Sequence, residues 1–228
     1  LAFQGGEPTL AGLRFFHRAA AIAREMVSGR DIHWSLQTNG LLLDDEWCRF
    51  LAAQRVLVGL SLDGPAWAHD AVRRARGGAP TYVQVVATLR RLLRHGVEFN
   101  VLAAVHSANV SRPLEVYRHL RDLGARYLQF IPIVERQPNE AERRAGLRIG
   151  RPGAADGGPA SRTAWSVSAE DYGRFLISVF DEWRKRDVGQ VGLQIVESSL
   201  SARLGAGATV CQFAQECGRS LVVETNGD

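Results

Sequence analysis

The chain has 228 residues, of which 46% are hydrophobic and 23% charged, enough for one sizeable core or for one core with a small appendage. Lysine and arginine number 28 against 24 acidic residues, and the excess is spread over helices, which argues against a nucleic-acid partner. No apolar run reaches the roughly 18 to 20 residues of a membrane span, and three cysteines do not suggest a disulfide scaffold.

Short apolar strands alternate with longer amphipathic helices along the first part of the chain. Five strands are predicted, at Leu1–Gln4, Ile32–Thr38, Val56–Leu62, Glu98–His106 and Tyr127–Val134. Four helices are predicted between them, at about 9–28, 44–54, 80–95 and 112–123. In the third helix, one apolar face combines Tyr82, Val86, Leu89 and Leu93. The repeated strand–helix order predicts a parallel sheet with right-handed crossovers.

Polar residues recur where successive predicted strands end, which favours a barrel or partial barrel over a doubly wound sheet. The clusters are Gln4–Glu7, Gln37–Gly40, Ser61–Gly64 and His106–Ser107. In parallel barrels the carboxyl ends of the strands form the rim of the active site. Turn chemistry explains the Asn-Gly and Asp-Gly pairs in these clusters, but it does not explain Gln4, Gln37 or Ser61.

The second part of the chain changes character. Residues 136–167 are charged and then rich in glycine, proline and alanine, so we predict a flexible insertion or linker. A helix at about 168–186, a strand at Val191–Val196 and a short helix at 197–204 follow. Because the chain opens inside a strand without a methionine and stops in a hairpin signal, we expect a piece of a longer protein.

The loop after the first strand reads Gly5-Gly6-Glu7-Pro8. Two glycines let the backbone approach a ligand closely, because no Cβ stands in the way. Glu7 adds an anionic acceptor suited to an ammonium group, and Pro8 fits the first position of the next helix. A tight strand-to-helix turn is the alternative interpretation of the same residues.

Four segments carry the most specific signal of the chain: Gln4–Leu10, Gln37–Gly40, Val58–Pro65 with His69, Asp70 and Arg73, and Leu128–Pro132. In their order and spacing they resemble the radical S-adenosylmethionine enzymes, specifically the anaerobic sulfatase-maturating enzymes. The resemblance covers nearly the whole chain and implies an α/β fold, a partial (β/α)6 barrel whose first strand precedes Leu1. It divides the chain into the partial barrel at 1–135, the insertion at 136–167, barrel-closing elements at 168–205 and the start of an auxiliary iron–sulfur (SPASM-type) domain at 206–228.

The resemblance also implies a chemistry. A [4Fe–4S] cluster on a C-x3-C-x2-C loop cleaves S-adenosylmethionine to a 5′-deoxyadenosyl radical, and a Cys or Ser side chain of a sulfatase becomes formylglycine. The three cysteines would precede Leu1, and the catalytic base, an Asp, would lie beyond Asp228, so we expect this piece alone to be inactive. Other implied partners are a peptide substrate and a reducing donor such as flavodoxin or ferredoxin. Oxygen-sensitive clusters and the lack of a disulfide pattern imply the cytoplasm.

The site residues follow from the same resemblance. Gly5, Gly6 and Glu7 correspond to the loop that receives the ammonium of the cofactor, and Gln4 to a residue lining the cofactor and substrate side. The positions implied for the remaining parts of the cofactor are Ser61 and Arg73 for ribose and carboxylate, and Val134 for a backbone contact to adenine. The alternatives are a solvated surface for Arg73 and core packing for Val134; Asn39 faces the cofactor or serves as a left-handed turn residue.

Two cysteines, Cys211 and Cys217, stand in a C-x5-C pattern. Such a pair can be core residues, zinc ligands or redox thiols, and thiolates suit both zinc and iron–sulfur clusters. The resemblance implies two ligands of the first auxiliary [4Fe–4S] cluster. Cys48 is interpreted as a core residue, and His69-Asp70 lacks the clustered ligands of a metal hydrolase.

Two rival functions keep the fold. One is a radical S-adenosylmethionine maturase that installs a cross-link in a ribosomally made peptide. The other is a non-catalytic barrel that binds a ligand without the cluster cysteines.

Overall fold

A computed structural model describes residues 1–27, 31–150, 162–207, 210, 214 and 221–223. The strands are β1 (Ala2–Phe3), β2 (Trp34–Thr38), β3 (Val56–Ser61), β4 (Phe99–Val105), β5 (Tyr127–Pro132) and β6 (Gly192–Leu193). The helices are α1 (Leu13–Met26), α2 (Asp45–Ala53), α3 (Ala66–Val72), α4 (Tyr82–Arg94), α5 (Pro113–Asp122), α6 (Glu140–Arg144), α7 (Ala169–Arg186) and α8 (Gln194–Arg203). In these ranges no helix combines the length and apolarity needed to cross a membrane.

The six strands form one parallel sheet in the order β1-β2-β3-β4-β5-β6. A doubly wound sheet reverses its strand order at a switch point, whereas a barrel keeps the order of the chain. The predicted partial barrel is therefore confirmed, with β1 and β6 at the two edges of an open sheet.

The two faces of the sheet differ in chemistry. On the outer face, alternate side chains are buried in the main core, among them Leu36, Val58, Val101 and Leu128. The helices pack on this face, which is where right-handed crossovers between neighbouring parallel strands place them. The inner face carries the intervening residues, many of them polar, and this period of two separates the core from the functional side.

The buried face of helix α4 matches the predicted one only in part. Its buried residues include Val85, Val86, Leu89 and Leu92, whereas Leu93 is 46% exposed. The stripe through positions 85, 89 and 92 has the i, i+4, i+7 spacing that faces a core. Two of the predicted residues, Val86 and Leu89, are thus core residues, and the predicted face was wrong at Leu93.

Four other elements differ from the prediction. The predicted helix at about 9–28 is interrupted at Gly12, whose φ of 76° separates a 3₁₀ turn at Pro8–Ala11 from α1. Helix α3 was not predicted, because seven residues are too few to display a period. The strand predicted at Val191–Val196 is limited to β6, and α8 begins at Gln194, three residues before the predicted helix.

The described residues of the segment predicted as a flexible insertion contain regular structure. Helix α6 has a capping box, in which Asn139 and Glu142 exchange side-chain to backbone hydrogen bonds. The Arg136 guanidinium pairs with Glu142 at 2.6 Å, and both side chains are nearly buried. These two charges, in a segment predicted to be a flexible insertion or linker, are therefore paired with each other. The glycine-rich part, 151–161, lies outside the described residues.

A buried hydrogen bond between α5 and the end of α7 yields a stability prediction. The Tyr117 hydroxyl donates to Asp187 Oδ2 at 2.6 Å. Tyr117→Phe leaves this carboxylate short of a donor, so urea unfolding should show a loss of about 1.5–3 kcal/mol. The control is Tyr172→Phe, which removes a bond to the neutral Phe130 carbonyl and should cost only about 0.5–1.5 kcal/mol. Equal losses in the two variants would contradict the assignment.

Candidate functional site

The carboxyl ends of the strands form one edge of the sheet, called the rim below. Glu7 and its loop follow β1, Asn39 follows β2, Ser61 ends β3, His106 follows β4, and Val134 lies in the loop after β5. Because the strands are parallel and adjacent, these positions lie along one edge. The fold therefore brings these five positions to a single side of the molecule.

The Gly5-Gly6 loop has a backbone that requires glycine. Both residues have positive φ, 86° and 53°, and a Cβ built at either position would meet no atom within 4 Å. Open space therefore surrounds the loop, and no described residue donates a hydrogen bond to the two carbonyl oxygens. Exposed carbonyls with free acceptor capacity suit a cationic ligand group.

Glu7 connects this loop to the end of β2. Its Oε1 accepts hydrogen bonds from the Thr9 amide (3.1 Å), the Thr9 hydroxyl (2.6 Å) and the Thr38 hydroxyl (2.8 Å). Its Oε2 accepts from the Asn39 amide at 2.7 Å, which leaves this oxygen one lone pair. Glu7 is thus first a structural residue that holds the loop, with acceptor capacity left on one oxygen.

Asn39 and Pro8 complete the local geometry of this part of the rim. The Asn39 side chain accepts from the Leu41 amide at 2.9 Å, an Asx turn, and the positive φ of 77° belongs to Gly40. The left-handed alternative for Asn39 is therefore wrong. Pro8 opens the 3₁₀ turn at Pro8–Ala11, the helix-start position that was predicted for it.

Ser61 and Arg73 both have free donors. The Ser61 residue is 7% exposed, and its hydroxyl has no hydrogen-bond partner in the described part of the chain. Arg73 directly follows α3 and gives its Nε proton to Asp63 Oδ2 at 2.6 Å. No described residue accepts from its two Nη groups, and one third of its side chain is exposed. A serine hydroxyl and the fork of a guanidinium can together bind an anionic, hydroxylated ligand.

Behind the rim lies a buried polar cluster. His69 Nδ1 accepts the Asp63 amide, and His69 Nε2 lies 3.1 Å from the Thr81 hydroxyl. The Asn109 side chain bonds the Asp63 and Ala104 carbonyls, which joins the ends of β3 and β4. In the described residues no group of three His, Cys, Asp or Glu side chains is placed to hold a metal ion.

His106 belongs to the same region and has an incomplete set of partners. Its Nδ1 accepts the Ala108 amide at 3.3 Å, whereas its buried Nε2 has no hydrogen-bond partner in the described ranges. Burial lowers the pKa values of both His69 and His106, with the Asp63 carboxylate opposing the effect. Both imidazoles are therefore held neutral by their surroundings.

Val134 is an exposed residue in a loop whose neighbouring residues are held by hydrogen bonds. The residue is 66% exposed, which contradicts the alternative of core packing. Ile133 on one side bonds Val105 and Val167, and Glu135 on the other bonds Thr163 and Ser166, so the loop is fixed. The Val134 amide and carbonyl have no hydrogen-bond partner among the described residues, which leaves one donor and one acceptor.

The inner face of the sheet forms a cleft of about 200 Å³ below the rim. Its lining includes the side-chain amides of Gln4, Gln37, Asn100 and Gln129. In the strand register Gly59 lies between Gln37 and Asn100, and a Cβ there would come 3.0 Å from the Leu102 Cδ1 atom. No role for Asn100 was predicted, although its alternation with buried Val101 marks it as an inner-face residue.

The cysteines divide into two groups. Cys48 is buried in the core as predicted, and burial raises the pKa of its thiol to about 11. Cys211 and Cys217 lie outside the described residues, so the predicted auxiliary ligands have no geometry here.

Comparison with known proteins identifies relatives. The model of the radical SAM superfamily matches residues 1–120. A serine-type anaerobic sulfatase-maturating enzyme from Bacteroides thetaiotaomicron is 40% identical over 99% of this chain and 53% of its own length. A cysteine-type enzyme from Clostridium perfringens is 31% identical over 99% of this chain and 57% of its own length. The chain therefore spans about half the length of the curated relatives it matches.

Solved structures agree with this relationship. Native anSMEcpe with bound AdoMet and the Cp18Cys peptide has a TM-score of 0.81 and 31% identity, and the match covers 98% of this chain and 57% of that one. Streptococcus suis SuiB shares the fold at a TM-score of 0.53 and 15% identity, over 84% of this chain and 37% of its own. The resemblance inferred from the four segments is confirmed.

The buried histidines predict how stability depends on pH. Because burial lowers the pKa values of His69 and His106, their contribution is complete above the unfolded value of about 6.5 and is lost as pH falls below it. The free energy of unfolding should therefore decrease between about pH 7.5 and about pH 5.5 in urea titrations. His106→Gln should reduce this decrease, whereas His33→Gln, at an exposed position, should leave it unchanged. A wild-type stability that rises on acidification would contradict the prediction.

Proposed function

Because the chain belongs to the radical SAM superfamily, we propose that it binds S-adenosylmethionine along the rim, in a protein that oxidises a Cys or Ser side chain of a sulfatase to formylglycine. The proposal depends chiefly on one observation: the rim offers free groups of the right kinds for each end of this cofactor. The identity to both serine-type and cysteine-type maturases supports the substrate class.

The methionine ammonium would bind at the glycine loop. The carbonyls of Gly5 and Gly6 accept no other hydrogen bond from described residues, and Glu7 Oε2 retains a lone pair. An ammonium has three donors and no acceptor, so these three oxygens match it in number and in polarity. The Glu7 bonds to Thr9 and Thr38 hold the acceptors in place.

The other parts of the ligand would meet the remaining free groups. The Nη edge of Arg73 suits the carboxylate, because a guanidinium fork donates two parallel hydrogen bonds. The Ser61 hydroxyl suits a ribose hydroxyl or the same carboxylate, and the Val134 amide and carbonyl suit the edge of adenine. Gln4 and the amides of the cleft below would line the cofactor and substrate side.

The chemistry would come from the cofactors and not from these side chains. With a [4Fe–4S] cluster, S-adenosylmethionine supplies the radical that takes a hydrogen atom from the substrate. The residues of this chain bind and orient the ligand. We propose Cys211 and Cys217 as ligands of an auxiliary cluster, a flavodoxin or ferredoxin as electron donor, and a cytoplasmic location.

A peptide maturase that forms cross-links is the second candidate. Its support is the fold shared with SuiB, which has also been solved with a bound precursor peptide; at 15% identity this match is weaker than the match to the sulfatase maturases. The third alternative, a non-catalytic barrel, requires that the reading frame lacks a C-x3-C-x2-C motif. Its free rim groups would then serve binding alone.

A direct assay tests the proposed activity. The complete product of the reading frame that encodes this chain is purified anaerobically, reconstituted with iron and sulfide, and given S-adenosylmethionine, a reductant and sulfatase peptides with Cys, Ser or Ala at the target position. We expect an aldehyde, detected by hydrazide labelling and mass spectrometry, in the Cys or the Ser peptide and none in the Ala peptide. Cross-linked peptide without aldehyde would favour the second candidate.

A matched pair of variants tests whether a residue of the rim contributes to the assayed activity. Ser61→Ala removes the free hydroxyl and should lower kcat/KM about 10-fold, the equivalent of one lost hydrogen bond of about 1.4 kcal/mol. Ser199→Ala, on the exposed side of α8, removes a hydroxyl that bonds only the Ile195 carbonyl and should have no effect. Equal rates in both variants would contradict the assignment of Ser61 to the site.

A further inference from the structure

Asp63 is a buried carboxylate in which each oxygen accepts one hydrogen bond. It lies two residues after Ser61, the last residue of β3, and is 0% exposed. A carboxylate in such a position is costly unless it is paired and hydrogen-bonded. An Asp-Gly turn does not require a buried aspartate, so turn chemistry does not explain why the Asp63 side chain is buried.

Each polar atom of Asp63 has its own hydrogen-bond partner. Oδ1 accepts the Ala104 amide of β4 at 2.8 Å, and Oδ2 accepts Arg73 Nε at 2.6 Å. The Asp63 amide donates to His69 Nδ1 at 3.3 Å, and its carbonyl accepts the Asn109 side chain at 3.2 Å. The contacts other than the one to Arg73 therefore already fix the position of the carboxylate relative to the sheet.

Arg73 is held at its backbone as well as at Nε. Its amide donates to the His69 carbonyl, and its carbonyl accepts the Thr81 hydroxyl at 3.0 Å. Only one carboxylate oxygen of Asp63 meets the guanidinium, and it meets the Nε side. The opposite edge, with both Nη groups, donates to no described residue. A guanidinium fixed in this way presents a preorganised fork.

We propose that Asp63 is a positioning residue that aims the Nη edge of Arg73 at the carboxylate of the bound ligand. The inference rests on the proposed binding of S-adenosylmethionine. It makes the Asp63–Arg73 pair a determinant of specificity, because the pair distinguishes a ligand with a carboxylate from one without it. Asp63 itself does not touch the ligand in this account.

Asparagine cannot replace Asp63 in this arrangement. Its side chain offers one oxygen, which cannot serve both the Ala104 amide and Arg73 Nε at opposite ends of the group. Its NH2 group would face one of these two donors. Asp63→Asn therefore keeps the charge of Arg73 and removes what fixes it.

Ligand binding provides a test that does not depend on turnover. The reconstituted product of the complete reading frame is titrated by equilibrium dialysis with S-adenosylmethionine and with its decarboxylated analogue. We expect wild type to prefer S-adenosylmethionine. Asp63→Asn should weaken S-adenosylmethionine binding about 10-fold and change binding of the analogue less than about twofold, because only the carboxylate contact is lost.

A control variant separates positioning from general stability. Glu182 is a similarly buried carboxylate that pairs with Arg118 Nε at 2.9 Å, between α7 and α5. Glu182→Gln should leave the affinity for both ligands unchanged. In a double-mutant cycle, Arg73→Ala combined with Asp63→Asn should lose no more affinity than Arg73→Ala alone.

The outcomes distinguish the inference from the proposed function. Equal loss of both ligands in Asp63→Asn, no loss of either, or additive effects in the cycle would overturn the positioning role. Wild-type binding without preference for the carboxylate would overturn it too, while leaving the proposed cofactor intact. Wild type that binds neither ligand would overturn both proposals.

Discussion

The arrangement of the rim depends on one carboxylate, that of Glu7. Four hydrogen bonds from Thr9, Thr38 and Asn39 converge on its two oxygens and tie the loop after β1 to the end of β2. Because β1 is only two residues long, its sheet bonds alone constrain the loop little. With Glu7 in place, the two glycines before it adopt positive φ, and their carbonyl oxygens accept no hydrogen bond from the described residues.

A second carboxylate, Asp63, does the same for the next part of the rim. It joins β4 to the residue that follows α3, and it leaves Arg73 with one bound and one free edge. In both places a buried or half-buried acid holds a hydrogen-bonding group, and that group has no partner of its own among the described residues. Preorganised groups of this kind lose little entropy when a ligand binds. Both parts of the rim depend on the rigid core that packs against the outer face of the sheet.

The sequence predicted the sheet order and the rim because both follow from repeated patterns. Strand-end polarity placed Gln4, Ser61 and their neighbours at one edge, and the segment spacing indicated the family. Helix α3 was missed because seven residues are too few to show a helical period. The buried face of α4 was only partly predicted, because it depends on how the helix is rotated against the sheet. The partners of Asp63 could not be predicted either, because Ala104 and Asn109 are distant in sequence and donate through a backbone amide and a side-chain amide.

The most direct test of the account is a crystal structure of the chain with S-adenosylmethionine bound. We predict the ammonium nitrogen within about 2.7–3.2 Å of the Gly5 or Gly6 carbonyl oxygen, and the carboxylate on the Nη edge of Arg73. The Glu7 bonds to Thr38 and Asn39 should be the same with and without ligand. A ligand that lies away from the glycine loop, or that displaces Glu7 from the end of β2, would contradict the account.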